Sequence, residues 1–302
     1  MSQQDASVKS ILFALLANFG IAITKTVAAV ITGSGAMLAE SIHSFADCGN
    51  QGLLFLGLNA SKKLPNVKHP LGHGKAIYFW SFIVALMLFS MGGLFSMYEG
   101  IHKLGSDEGL KSPLIAIVVL SLSILLEGAS LYGCLTQIKK LKYTSTLWKW
   151  IRNTRNSELV VVLGEDVAAI LGLCFALIAV VLSMITGNPI YDAIGSIGIG
   201  ALLIIVSFFI ALKVKGLLIG QSADEETVSA IDAFLNERPE IEKVLNLITL
   251  QLGPQVMVAV KIKMTKTETN LQLIQNINAC EADLKKLNPA ILWVFFEPDI
   301  EK

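Results

Sequence analysis

The chain has 302 residues, with 24 basic and 24 acidic side chains and a formal net charge of zero, so it lacks the basic excess of a nucleic-acid binder. It is 53% hydrophobic and only 16% charged, with a mean hydropathy of +0.63, outside the balance of an ordinary soluble domain. Cys48, Cys134, Cys174 and Cys280 show no CxxC spacing, which excludes a disulfide framework and a zinc ribbon and leaves them as small hydrophobes.

In chain order, six segments are long enough to cross a bilayer, which takes about 20 mostly apolar residues each. They are roughly 10–32, 35–60, 76–102, 113–138, 158–186 and 190–215. Met1 to Ser10 is polar and the first apolar run is too long for a signal-peptide core, so no cleavable signal is expected. The first span carries Lys25 and ends at a Gly33-Ser34-Gly35 turn. The second carries Glu40, His43, Asp47, Asn50 and Gln51. A connection with Lys62, Lys63, Lys68 and Lys75 also holds His69 and His73. The third span is uncharged from Ala76 to Tyr98 and closes on an interfacial His102. A mixed-sign loop near Asp107-Glu108 leads to the fourth span, which carries Glu127 at its middle. Lys139, Lys140, Lys142, Lys149, Arg152 and Arg155 fill the next connection. The fifth span contains Glu165-Asp166 and turns at Gly187-Asn188-Pro189 into the sixth, which has Asp192 near its start. Because both strongly basic connections lie on one side, that side and both termini are expected in the cytoplasm.

After about Gly220 the character changes. Ala223-Asp224-Glu225-Glu226 opens an amphipathic helix with Val228, Ile231, Phe234 and Leu235 on one side and Ser222 as its expected cap. Glu240–Leu252 and Val256–Met264 read as strands about a Gly253-Pro254 turn; a helix and a strand at Ile291–Phe296 follow. The expected fold is an α-helical membrane protein: a six-helix transport domain over residues 1–220 and a small α+β cytoplasmic domain over 221–302.

His43 and Asp47 are the first candidate site. An ionisable group at the bilayer centre costs at least ~2.5–3.5 kcal/mol, so such groups mark ion pathways. At i, i+4 the two project from one helix face and can close on one cation. Imidazole with carboxylate suits zinc and other first-row divalents better than magnesium or calcium. Glu165 and Asp166 are the second pair. Adjacent helical residues diverge by about 100°, so one ligates directly and the other swings in or supports it. Glu127 is a candidate proton relay, and Glu40 a candidate gate or partner for Lys25. Lys25 and Asp192 are otherwise read as snorkelling or interhelical bonds. Asn50 and Gln51 extend the polar stripe, and His69 with His73 forms a possible two-imidazole loop site.

Asn18…Lys25, Gly33-Ser34, His43-x-x-x-Asp47, Gly72-His73-Gly74-Lys75 and the tail domain together resemble the cation diffusion facilitators over nearly the whole chain. The resemblance implies a homodimeric six-helix exporter of divalent metal in exchange for protons, with a ferredoxin-like cytoplasmic domain. The metal is cargo, no cofactor is implied, and the chain is no enzyme. His43 and Asp47 match the second-helix half of the transport site, Asp166 the fifth-helix aspartate, and His69 and His73 loop histidines that bind metal in some members. The family's usual His or Asp four residues before that aspartate is Val162 here. Val160–Gly172 and Trp148–Arg152 resemble the zinc transporter nine branch, and Glu165 is expected to replace the missing ligand. The tail holds no histidine, so the usual His-rich regulatory cluster is not expected and its implied role is dimerisation. The expected setting is a bacterial inner membrane. Efflux of Mn²⁺, Fe²⁺ or Co²⁺ on the same fold, an intramembrane metalloenzyme and a channel-like or regulatory protein are the rival readings.

Overall fold

A computed structural model describes residues 3–105, 111–140 and 146–300, with side chains described from Asn18 onward and excepting Lys140. The loop at Asp107-Glu108, the side chains of the polar start, the Lys140 side chain and Lys142 lie outside the described residues. The elements are α1 (Gln3–Thr32), α2 (Gly35–Ser61), α3 (Ala76–Met87), a π-helical segment (Leu88–Leu94), α4 (Phe95–Leu104), α5 (Pro113–Lys140), α6 (Leu147–Asn153), α7 (Ser157–Thr186), α8 (Ile190–Ile219), α9 (Glu225–Asn236), β1 (Ile241–Leu252), β2 (Gln255–Met264), α10 (Asn270–Leu287) and β3 (Ile291–Pro298).

Among the described residues four stretches are long and apolar enough to span a membrane: Ala76–Leu104, Pro113–Lys139, Ser157–Thr186 and Ile190–Ile219. In α1 the described apolar stretch is the shorter Asn18–Thr32. The 27 residues of α2 are long enough, but Glu40, His43, Asp47, Asn50 and Gln51 dilute its apolarity. Val30, Leu125, Ile185 and Ile205 are among the large apolar side chains left exposed, as expected where lipid replaces protein contact.

The chain divides into two compact units. The larger comprises Met1–Leu56, Trp80–Tyr143 and Glu158–Lys213. Its α1–α2 turn is set by Gly33 at φ +67°, a conformation open to glycine. The following helix start is capped from α8: the Asp192 carboxylate accepts from Ser34 Oγ at 2.5 Å, Gly35 N at 2.6 Å and Ala36 N at 3.4 Å. Lys103 Nζ lies 3.4 Å from Asp192 and also donates to the Gly33 carbonyl. Thus Asp192 makes the interhelical bonds anticipated for it. The expected third span is continuous but not uniformly α-helical. At its π-helical turn Gly93 packs against Ile204 of α8 so closely that a Cβ would lie 2.6 Å from Ile204 Cγ1, and insertions of this kind reshape a helix locally.

The smaller unit comprises Gly57–Phe79, Thr144–Ser157 and Val214–Lys302, so it includes two connections as well as the tail. Its sheet has the order β1-β2-β3, with β1–β2 antiparallel and β2–β3 parallel. Val256, Val258, Val260 and Ile262 of β2 are buried with Ile231, Leu235 and Leu284, the alternation expected of a strand with one covered face. Gly253 turns the hairpin at φ +68°. Ser222 is not the cap of α9. Asp224 is, its side chain accepting from Thr227 N at 2.9 Å, while the Ser222 hydroxyl is engaged 2.5 Å from Thr249 Oγ1 of β1. The connections bind the tail through Tyr78 Oη to Gly253 O at 3.2 Å and Arg155 Nε to Ser222 O at 2.7 Å. The basic Trp148–Arg152 run forms the short α6.

Candidate transport site

The polar stripe of α2 recurs every three to four residues because side chains at that spacing stack on one face. His43 and Asp47 meet there, with Nε2 3.6 Å from Oδ2. His43 is 1% exposed, and among the described residues neither ring nitrogen has a hydrogen-bond partner.

Glu165 and Asp166 diverge as their helical spacing dictates. Glu165 faces α2, where Asn50 Nδ2 donates to its Oε1 at 2.6 Å. Asp166 faces α5, where Ser130 Oγ donates to its Oδ1 at 3.2 Å. Asp47, Glu165 and Asp166 line one cavity, together with Asn18, Gln51, Glu127, Ser130 and Val162. Asp47 Oδ1 and Asp166 Oδ2, on two of these lining residues, are buried acceptors without donors among the described residues. Leaving such a group unmatched costs about 1–3 kcal/mol, so the cavity favours a species that offers positive charge to oxygen.

The convergence is incomplete. Among the described residues no three His, Cys, Asp or Glu side chains stand close enough to grip one ion. Asp47, Glu165 and Asp166 share the cavity; His43 does not line it but stands beside Asp47, which does. Its Nδ1 lies beside the π-helical segment, 3.8 Å from where a Cβ on Gly92 would be. Two of the carboxylates are held by neighbours: Asn50 bonds Glu165 and Ser130 bonds Asp166.

Val162 lines the cavity at the position where the resembled family carries a ligand. Glu127 and Gln51 line it as well. Ser130 is not singled out by sequence reading, although it lies three residues after Glu127 and hence on the same face of α5. Glu40 stands apart from the cavity, paired with Lys25 at 3.4 Å. In the smaller unit, the His69 and His73 rings lie 4.3 Å apart and tilted by 39°, and His73 Nδ1 is buried without a partner among the described residues.

The cation efflux transmembrane domain family matches residues 11–219. The proton-coupled zinc antiporter SLC30A9 of Mus musculus, a mitochondrial protein, is 35% identical over 231 residues, 76% of this chain and 41% of that protein. Metal tolerance protein C4 of Arabidopsis thaliana is 33% identical over 250 residues, 82% of this chain and 55% of its own length. Magnetosome protein MamB of Paramagnetospirillum magneticum is 24% identical over 289 residues, 95% of this chain and 91% of that protein. The chain therefore spans less than half the length of the zinc antiporters it matches.

Proposed function

The chain belongs to the cation diffusion facilitator family, on its zinc transporter nine branch, and from that premise we propose that it carries a divalent metal cation, zinc first, out of the cytoplasm in exchange for protons. It is a multi-pass membrane protein and a secondary transporter, not an enzyme, and the metal is its cargo.

The proposed site is His43 and Asp47 of α2 with Glu165 and Asp166 of α7. The observation that carries this reading is the shared cavity of Asp47, Glu165 and Asp166, with buried oxygens that lack donors among the described residues. An arriving cation satisfies those oxygens and draws His43 toward Asp47, while Asn50 keeps Glu165 oriented in the cavity. Imidazole and carboxyl groups bind metal only after losing their protons, so metal uptake and proton release are linked. Helices then rock to expose the site to the other side, where protons compete the metal away. Glu127, in the cavity wall, passes protons in this reading, and His69 with His73 offers the cation a weak first stop.

In this reading the six long helices over residues 1–220 form the transport domain, and 221–302 a cytoplasmic domain that pairs two copies. Both termini face the cytoplasm of a bacterial inner membrane. The similarity to a zinc antiporter supports zinc and protons. A second reading, Mn²⁺, Fe²⁺ or Co²⁺ efflux, draws on the carboxylates around the cavity, since oxygen donors suit harder ions.

The test is metal uptake into proteoliposomes under an imposed pH gradient. Wild type is expected to accumulate zinc, and Asp47→Asn to lose most of that flux. Equal transport by the variant overturns the site. Manganese or iron flux without zinc flux selects the second reading.

A further inference from the structure

Lys25 is 1% exposed in α1, and its ammonium meets two residues of α2: Glu40 Oε2 at 3.4 Å and Ser44 Oγ at 2.8 Å. Glu40 is 0% exposed, and its other oxygen, Oε1, has no hydrogen-bond partner among the described residues. That oxygen instead packs on Gly172 of α7, 2.5 Å from where a Cβ would stand. At the next position of each helix Thr26 Oγ1 and Ser41 Oγ lie 2.6 Å apart. The pair thus ties α1, α2 and α7, three helices that also line the transport cavity.

Its level along the helices is fixed by sequence position. The cavity is lined on α1 by Asn18 and Ile21 and on α2 by Ser44, Asp47 and Gln51. At about 1.5 Å per residue, Lys25 and Glu40 lie beyond those residues, toward the Gly33 turn that joins the two helices. Along the helices the pair therefore lies between the cavity and the α1–α2 turn.

We propose that the Lys25–Glu40 ion pair is the latch that closes the outer side of the transport cavity, a role that rests on the transport reading above. A buried ion pair is a poor device for stability alone, because an apolar pair of similar volume does as well or better. As a latch it has a property that apolar residues lack. When the helices part and water enters, both ions are solvated again, so the closed and wetted arrangements stay close in free energy. Gly172 admits the Glu40 carboxylate to the α7 surface, and any side chain there displaces it.

The test places a cysteine at Ile21, on the cavity wall, and follows its reaction with a membrane-impermeant maleimide. The reagent is added from the outer or the inner face, and labelling is read by peptide mass to separate position 21 from the four native cysteines. In the otherwise native protein, labelling from outside is expected to be slow. Lys25→Met, Glu40→Gln and Gly172→Ala are each expected to raise the outside rate about tenfold or more, since one-sided loss of a buried pair strongly disfavours the closed state. The exchange Lys25→Glu with Glu40→Lys is expected to return the rate to near the native value. Unchanged outside labelling in all three single variants overturns the latch. So does equal acceleration from both faces, which marks loosened packing. Zinc uptake is measured on the same vesicles. Native labelling asymmetry without uptake of zinc or another divalent ion sinks the transport reading, while the labelling rates still decide whether the pair is the barrier.

Discussion

Asn50 directs its amide to Glu165, a short 2.6 Å bond inside a helix bundle. Groups that orient a metal ligand without touching the metal commonly tune affinity by about 10–100-fold. Asn50→Ala is therefore expected to weaken zinc binding by about tenfold in an equilibrium titration, with the fold intact. Affinity equal to wild type would remove Glu165 orientation from the account. Much at this scale is legible in the sequence. His43, Asp47, Glu165 and Asp166 are conspicuous because ionisable groups in apolar segments demand a reason. What periodicity does not supply is which neighbour each chooses. Asn50 and Ser130 become visible as partners only when α2, α5 and α7 are brought side by side. For Lys25 the sequence allows either snorkelling or a bond between helices, and burial decides for the bond.

At the scale of elements, the start of α2 is held by a carboxylate from a different helix. Asp192 gathers Ser34 Oγ, Gly35 N, Ala36 N and Lys103. Asp192→Asn keeps the shape but removes the charge and turns an amide toward donors, and is expected to lower stability by about 2 kcal/mol. Thermal unfolding in detergent checks this, and an unchanged midpoint would mean that other contacts hold the turn. Helix limits are mostly readable, since Gly33-Ser34 and Gly187-Asn188-Pro189 are strong breakers. The π-helical turn is not, because Leu88–Leu94 is apolar in either winding and Ile204 of α8 decides against Gly93. The cap of α9 lies two residues from its expected place for a similar reason: Ser222 and Asp224 are both competent, and only the strand beside Ser222 chooses between them.

At the scale of the molecule, basic residues cluster in the connections that belong to the same unit as the β-sheet domain. The excess of Lys and Arg predicts that this unit faces the cytoplasm. Protease added to intact cells is expected to spare a tag after Lys302, and the same protease added to inverted vesicles to remove it. Removal in intact cells would reverse the orientation, and with it the direction of export. The drop in hydropathy after Gly220 follows the end of the last long apolar helix, α8, at Ile219. That residues 57–79 and 144–157 associate with the tail is not legible in the sequence, because Tyr78–Gly253 and Arg155–Ser222 join positions far apart in sequence.

The π-helical turn between α3 and α4 has a consequence for insertions and deletions. Its wider winding accommodates an extra residue in one turn, and this sets which faces of the two halves look sideways. Within it Gly92 lies near His43; beyond it Gly100 abuts Ala193 and Ile197 of α8. Excision of a single residue there, such as the exposed Met91, would restore ordinary winding and swing the second half by about 100°. Gly100 would leave α8 and a bulkier neighbour would take its place. Chain length in this turn is therefore held more tightly than residue identity, and a relative one residue shorter here would need a different surface on α8.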